Sequence, residues 1–262
     1  MTDKTWKTAI TEIEPNKIKL RGYPLNELMG NRSFADVVYL ALRGELPTPK
    51  VGKLIDAILV SSIDHGVTPP SAVTAMTVAS TGASLNSAVA AGILAISKFH
   101  GGAIEACMAL LQEAKELVEG GKSANEAAES LVSSYKEEKK RMSGFGHRVH
   151  TNDPRTKRLF DLAEEADHSG VYIELIKAVE SALENSIGKK LPINVDGAIA
   201  ALLCELDFWK NLANAFFIMA RVPGLVAHIA EEQERQRPMR KINSAEHEYD
   251  GPAERHLEDK RE

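Results

Sequence analysis

Ser33-Phe34-Ala35-Asp36-Val37-Val38-Tyr39-Leu40-Ala41-Leu42-Arg43-Gly44 is the stretch that decides the fold class. Phe34, Val37, Val38, Ala41 and Leu42 recur at the spacing that lines one face of a helix. Ser33 and Asp36 form a capping pair, a hydroxyl and a carboxylate placed to satisfy the first free amides. Gly44 closes the run where a left-handed residue is most easily supplied. The same period continues along most of the chain. Val51, Leu54, Ile55, Ile58 and Leu59 make a second stripe after Pro47 and Pro49. Residues 71–96 are rich in Ala, Ser and Gly and predict two closely packed helices. Further helices are predicted over 103–118, 124–139 (opened by Ser123 and Glu126), 156–166, 171–187, 197–206, 209–220 and 224–235. Ile18-Lys19-Leu20 near Tyr23 is the one strand-like alternation and predicts a small N-terminal hairpin. The fold class is all-α.

Composition narrows the function. The 262 residues suffice for a full core and for one or two domains. A net charge of −5 argues against nucleic acid, which needs a basic face. The basic run from Lys136 to Arg141 is interleaved with Glu137 and Glu138 and reads as a solvated helix face. Cys107 and Cys204 are isolated within apolar helical patterns, which fits a reducing compartment and no disulfide framework. The chain starts without a signal pattern, and no window is expected to reach the length of a membrane span. The expectation is a soluble cytoplasmic protein, with a charged tail after Asn243 that extends along a surface.

Chemistry gathers at the breaks between helices. Ser143-Gly144-Phe145-Gly146-His147-Arg148-Val149, followed by Asp153-Pro154-Arg155, joins bare amides, an imidazole and guanidinium forks. Glycines let backbone approach a ligand, His supplies a proton near neutral pH, and Arg clamps carboxylates in pairs. Asp64-His65-Gly66 ends one helix, and His100-Gly101-Gly102 precedes another. Asn194-Val195-Asp196-Gly197 lies at a helix start, where an acid is favoured by the dipole. Arg221 and Arg237-Pro238 close two helices. Taken singly, most of these have structural readings: a helix stop at Asp64, a first-turn acid at Asp196, dipole-complementing charges at Arg221 and Arg237. His147 with Arg148 and Arg155 is the one cluster that points to function unaided. His150 reads as surface. No His-x-x-x-His or Cys-x-x-Cys spacing supports a metal site built on His65, His100 and His147.

The ordered set resembles the citrate synthase superfamily: Arg21-Gly22-Tyr23, Gly44-Glu45-Leu46-Pro47-Thr48, Asp64-His65-Gly66, His100-Gly101-Gly102, the Gly144–Val149 loop with Asp153-Pro154-Arg155, Asn194-Val195-Asp196, Arg221 and Arg237-Pro238. Tyr249, Gly251-Pro252 and Arg255 echo the end of those chains. Two departures are similar to the citryl-CoA lyase branch and to the C-terminal lyase module of ATP-citrate lyase. One is the single helix between Pro47 and Asp64, where synthases carry a long helical insert; the other is Gly197 directly after Asp196. His100 departs in the other direction, since the animal module often has Phe-Gly-Gly there.

The resemblance implies a two-domain helical fold with a shortened large domain (1–101 and 207–262) and a small closing, CoA-binding domain (102–206). It implies His100, His147 and Asp196 as catalytic residues. His65, Arg155, Arg221 and a partner subunit's copy of Arg237 would bind oxaloacetate. Gly144, Phe145, Gly146, Arg148 and Asn194 would line the CoA pocket. The implied activity is cleavage of citryl-CoA to acetyl-CoA and oxaloacetate, with citrate synthase, a related acyl-CoA condensing enzyme or a non-catalytic CoA-ester-binding subunit as alternatives. It also implies no metal or other cofactor beyond the CoA thioester itself, and a homodimer or higher homo-oligomer with shared sites, without nucleic acid or membrane partners.

Overall fold

A computed structural model of the chain describes residues 6–146 and 153–242. The N-terminal alternation becomes a three-stranded antiparallel sheet, β1 (Thr11–Glu14), β2 (Lys17–Leu20) and β3 (Tyr23–Pro24), in chain order. Its register sets Ile13 against Ile18 and Glu12 against Lys19, and the last pair closes an ion pair of 2.7 Å. Arg21, at φ +50°, donates through Nε and Nη2 to the Ala41 carbonyl and so fixes the sheet to the helical body.

Apart from isolated bridges, every regular element after the sheet is helical among the described residues, and the capping chemistry sits where the sequence places it. A short α1 (Leu25–Leu28) leads to α2 (Phe34–Arg43), opened by the full Ser33/Asp36 capping box and closed by Gly44 at φ +88°. α3 (Pro49–Ser61) follows, capped by Thr48. The small-residue segment forms α4 (Pro70–Ser80) and α5 (Leu85–Leu94), which pack closely: a Cβ on Gly92 would lie 3.0 Å from the Ala75 Cβ and from the Ser71 carbonyl. Next come α6 (Ala103–Glu119), α7 (Ala124–Glu137, with the Ser123/Glu126 capping box), α8 (Pro154–Glu165), α9 (Val171–Ile187) and α10 (Val195–Glu205). α10 is the centre of the core: Val195 and Gly197 to Cys204 are all buried against α6, α8 and α9. α4, α5 and α11 (Ala213–Arg235) enclose a second, smaller core of Ala75, Ala79, Ala88, Leu225 and Ile229.

Two expectations fail at α11. The break predicted between 220 and 224 does not occur, because one helix runs through Pro223 to Arg235. Proline removes one amide and disfavours the preceding turn, but the packing of α11 against α3, α4, α5 and α6 overrides that local preference. Arg221 is therefore a buried mid-helix residue, 3% exposed, and not a helix-terminal charge. The other failure concerns length. With the 3-10 turn before it, residues 210–235 are long and apolar enough to cross a membrane by length and composition alone. In this fold 44% of its apolar window is buried.

Candidate active site

The loop between α3 and α4, the turn between α5 and α6, the start of α8, the start of α10 and the middle of α11 converge on one cavity of about 560 Å³. Its lining includes His65, His100, Gly146, Arg155, Asn194, Asp196 and Arg221. Seven of the positions singled out in the sequence thus meet, from six separate segments, Gly146 coming from the loop between α7 and α8. His147 and Arg148 lie outside the described residues.

His100 is set by a tight turn in which Ser97 and His100 exchange backbone hydrogen bonds of 2.8 and 2.9 Å. Gly101 then takes φ +81°, and a Cβ there would strike Phe217 at 2.7 Å. The imidazole stands edge-on to the Phe217 ring, 5.7 Å between centroids, and its Nε2 lies 2.8 Å from the buried Ser71 Oγ. Burial, and then the Arg221 charge, hold the imidazole pKa below its ordinary value. His100 is accordingly a neutral imidazole at neutral pH, suited to giving a hydrogen bond to an oxygen that gains charge.

Asp196 sits in the first turn of α10. Asn194 caps that helix, accepting from the Gly197 amide at 3.1 Å while its Nδ2 donates to the Gly146 carbonyl at 2.8 Å. The Asn194 amide also donates to the Gly144 carbonyl, and the Gly146 amide to the Pro192 carbonyl. The glycine loop is thereby strapped across the start of α10. Gly197 explains itself here, since a Cβ would meet the Gly144 carbonyl oxygen at 2.3 Å. Burial raises the Asp196 carboxyl pKa, opposed by Arg155 and Arg221 and assisted by Asp153. A carboxyl that holds its proton more tightly than usual is matched to proton transfer at carbon.

The two arginines are held differently. Arg155 forks onto Asp153, with Nε to Oδ1 at 3.0 Å and Nη2 to Oδ2 at 2.7 Å, and its Nη1 donates to the Ser61 carbonyl at 3.2 Å. Asp153 also caps α8. Arg221 donates from Nε to the Ser62 carbonyl at 3.1 Å and lies over the Phe217 ring, 4.7 Å to the centroid. Its Nη1 is buried without a hydrogen-bond partner, as is Ser62 Oγ. Burial lowers the Arg221 pKa, while Asp64 and Asp196 draw it back up. A buried guanidinium nitrogen with no protein acceptor is costly unless a ligand supplies one. An anionic ligand would.

Several supporting residues escaped sequence reasoning: Ser71, Ser62, Phe217 and the pair Asp64–His228. His228 Nε2 lies 2.9 Å from Asp64 Oδ1, and the Gly66 amide donates to Asp64 Oδ2 at 2.8 Å. Burial works to raise the Asp64 pKa, but the Gly66 amide and then His228 outweigh it and hold the carboxyl low. This brace shapes the loop that carries His65. Its signal was present as a stripe on one helix, since Arg221, Gly224, Leu225 and His228 share a face of α11; the expected break at Pro223 hid it.

Other positions fall elsewhere. Gly144, at φ +93°, is a packing position, where a Cβ would strike Cys107 Sγ at 2.5 Å. Phe145 lines a separate cavity of about 420 Å³ with Tyr135, Lys136, Lys140, Arg141 and Leu191. Arg237 follows α11 and is not among the residues lining the first cavity. Among the described residues no group of three His, Cys, Asp or Glu side chains gathers to hold a metal.

Comparison with known proteins identifies the family. Residues 47–242 match the family model of the citrate synthase C-terminal domain. The solved structure of citryl-CoA lyase from Hydrogenobacter thermophilus is 45% identical and superimposes with a TM-score of 0.87 over 97% of this chain and 98% of that one. ATP citrate lyase from Methanosaeta concilii, solved with (3S)-citryl-CoA, shares the fold at 22% identity and a TM-score of 0.79, over 97% of this chain and 43% of that one. The citrate synthase of Deinococcus radiodurans is 31% identical over 224 residues, 83% of this chain and 56% of its own length. The chain spans about half the length of the curated relatives it matches. Fold, site and similarity together make this chain a member of the citrate synthase family.

Proposed function

We propose that this chain is a citryl-CoA lyase, cleaving (3S)-citryl-CoA to acetyl-CoA and oxaloacetate. The observation that carries it is the buried Arg221, which lines the same cavity as Asp196, His100 and Arg155 and whose Nη1 has no hydrogen-bond partner. Arg155, Arg221 and His65 supply cationic and hydrogen-bonding groups for the carboxylates that become oxaloacetate. His147 takes the proton of the tertiary hydroxyl as the C–C bond breaks and the alkoxide becomes a ketone. The electron pair passes to the thioester as an enolate, whose oxygen His100 stabilises. Asp196, protonated beforehand, delivers its proton to the enolate carbon and leaves acetyl-CoA. Each positioned proton-transfer group contributes about 10²–10⁴-fold. The reaction consumes no water and uses only side chains, with the CoA thioester as substrate.

Gly146 and Asn194 border the thioester end of the CoA site. Beyond the strap, the cavity at Phe145, with Lys136, Lys140 and Arg141 at its edge, suits the anionic nucleotide end. Arg148 would add to that charge. Residues 102–206 are the unit that closes over the large domain, excluding water from the enolate. The working form is a homodimer or higher homo-oligomer with shared sites. α5 is apolar on nearly every side, yet only Ala88 and Gly92 are buried; Leu94 is 83% exposed. A helix apolar all round belongs in an interior, and a second copy of the same face supplies one. Buried free Cys107 and Cys204 fit a reducing cytoplasm.

Citrate synthase is the second reading, favoured by the 31% identity to the Deinococcus radiodurans synthase. Purified protein is to be given citryl-CoA, with acetyl-CoA and oxaloacetate in parallel. Acetyl-CoA and oxaloacetate formed from citryl-CoA, with little free thiol from the forward pair, is the expected result. Fast thiol release with citrate formed makes it a synthase. CoA-ester binding without turnover in either direction makes it a binding subunit.

A further inference from the structure

After α11 the chain turns back on itself. The Arg240 amide donates to the Arg237 carbonyl at 3.3 Å, closing a four-residue turn with Pro238 second and Met239 third. Met239 has φ +58°, the sign a type II turn demands at its third residue, where glycine or asparagine is the unstrained choice. A methionine persists there only if its surroundings hold it. They do so at three points. The Met239 amide donates to the Ser80 carbonyl at the end of α4, 2.9 Å away. Gln233 reaches the Ala83 carbonyl at 3.3 Å. The Arg240 guanidinium forks onto Glu232, with Nε to Oε1 at 2.7 Å and Nη2 to Oε2. Glu232 is 4% exposed, a carboxylate sunk into the flank of α11.

This pair takes no part in the cavity, since neither residue lines it. A buried ion pair is a weak source of stability but a strong means of fixing one geometry. Arg237 is exposed and stands at the first position of that turn. Position along α4 suggests the use. Ser71, at the start of α4, touches His100 in the cavity; Ser80, at its end, carries the turn. Nine residues of helix put about 14 Å between them. If two protomers pair about a two-fold axis across the α4–α5 face with their α4 helices antiparallel, the turn of one lies toward the cavity end of its partner's α4.

We propose that Glu232 and Arg240 are positioning residues that aim Arg237 into the partner's oxaloacetate site. This rests on the assignment of Arg237 to that site. The test measures oxaloacetate affinity by calorimetry, and KM and kcat for citryl-CoA cleavage. The proteins are wild type, R237A, R240Q, R240K, E232Q and the double variant R237A/R240Q, with sedimentation to follow the dimer. R237A is expected to weaken oxaloacetate binding about tenfold or more, and R240Q and E232Q to weaken it several-fold, as KM and not kcat, with the dimer intact. R240K is expected to recover part of the loss. In the R237A background, R240Q is expected to change nothing further, because the group it aims is gone. Normal binding by R237A removes the assignment of Arg237, and the positioning role with it. A weakened R237A beside normal R240Q and E232Q leaves the assignment standing and overturns the positioning role. A further loss in the double variant overturns it too. So does dissociation of the dimer by both R240Q and R240K, for the pair would then hold the assembly and not Arg237. If R240Q does not fold, R240K and E232Q carry the same cycle.

Discussion

Folding carries the Asp196 carboxyl into a cavity where burial penalises its charge more than Arg155 and Arg221 relieve it. Its folded pKa therefore lies above its unfolded one, and the folded state binds the proton more tightly. By linkage this group stabilises the fold most at acid pH, and that stability is lost as pH rises from the unfolded carboxylate value toward the folded one. D196N removes the penalty. Its melting temperature at pH 7 should rise, by about 2 °C or more, while citryl-CoA cleavage falls at least ~10²-fold. A lowered melting temperature in calorimetry would show that the two arginines hold the carboxylate favourably overall. The same shift gives the two reaction directions opposite pH limbs. Cleavage needs protonated Asp196 and should weaken as pH rises through its pKa; condensation needs the carboxylate and should strengthen, as initial rates in both directions over one pH series would reveal. Asp196 was legible in the sequence as a first-turn acid at a helix start, which alone reads as structural; its catalytic role came only with the family resemblance. Arg221 was legible as a residue but not as a buried one, because only tertiary packing carries the helix through Pro223. Ser71 gave no signal: a serine in a run of small residues acquires its role only when His100, 29 positions on, folds back to it.

At the scale of elements, the site depends on a strap lying flat across a helix start. Gly144 and Gly197 touch backbone to backbone, and Asn194 binds both ends of the contact. G197A would push a methyl group into the Gly144 carbonyl, buried next to Cys107. Overpacking of that kind costs about 1–3 kcal/mol, and here it also displaces Gly146 from the cavity wall. The expected outcome is a lower melting temperature with KM for the CoA ester raised more than kcat is lowered; an unchanged KM would mean that the strap does not shape the CoA site. Most elements could be drawn from the sequence because their ends carry local chemistry: Ser33 with Asp36, Thr48 before Pro49, Ser123 with Glu126, Gly188 at φ +69° after α9. α11 could not. Its Pro223-Gly224 reads as a stop, whereas Gly224 is there for close approach: a Cβ would lie 2.3 Å from the Ile63 carbonyl in the loop that carries Asp64 and His65.

For the whole molecule, composition spoke more clearly than any motif. Few aromatics and many small residues favour close helix packing, and α4 and α5 use it twice: Ala88 and Gly92 face inward, while Leu85 and Leu94 remain exposed on α5. No pattern in one chain says what covers that outer face; the expectation of a homo-oligomer rests on the Ala-rich helices and on the in-trans role that the family resemblance gives Arg237. If a second copy covers it and each site borrows Arg237 from its partner, then lesions on the two sides of one site belong to different chains. At citryl-CoA concentrations well below the wild-type KM, D196N and R237A homodimers should each keep at most about a tenth of the wild-type rate. Unfolded together and refolded as an equal mixture, half the dimers become mixed. One site of each mixed dimer then carries both lesions and the other carries neither. Activity should return to about a quarter of the wild-type level. A mixture as inactive as its components would place Arg237 in its own chain's site or in none. L94E, which puts a charge on that exposed face, should give monomers that keep the helical signal of the native chain yet cleave poorly at low citryl-CoA concentration, because a folded protomer alone would still hold His100 and Asp196 but no partner arginine.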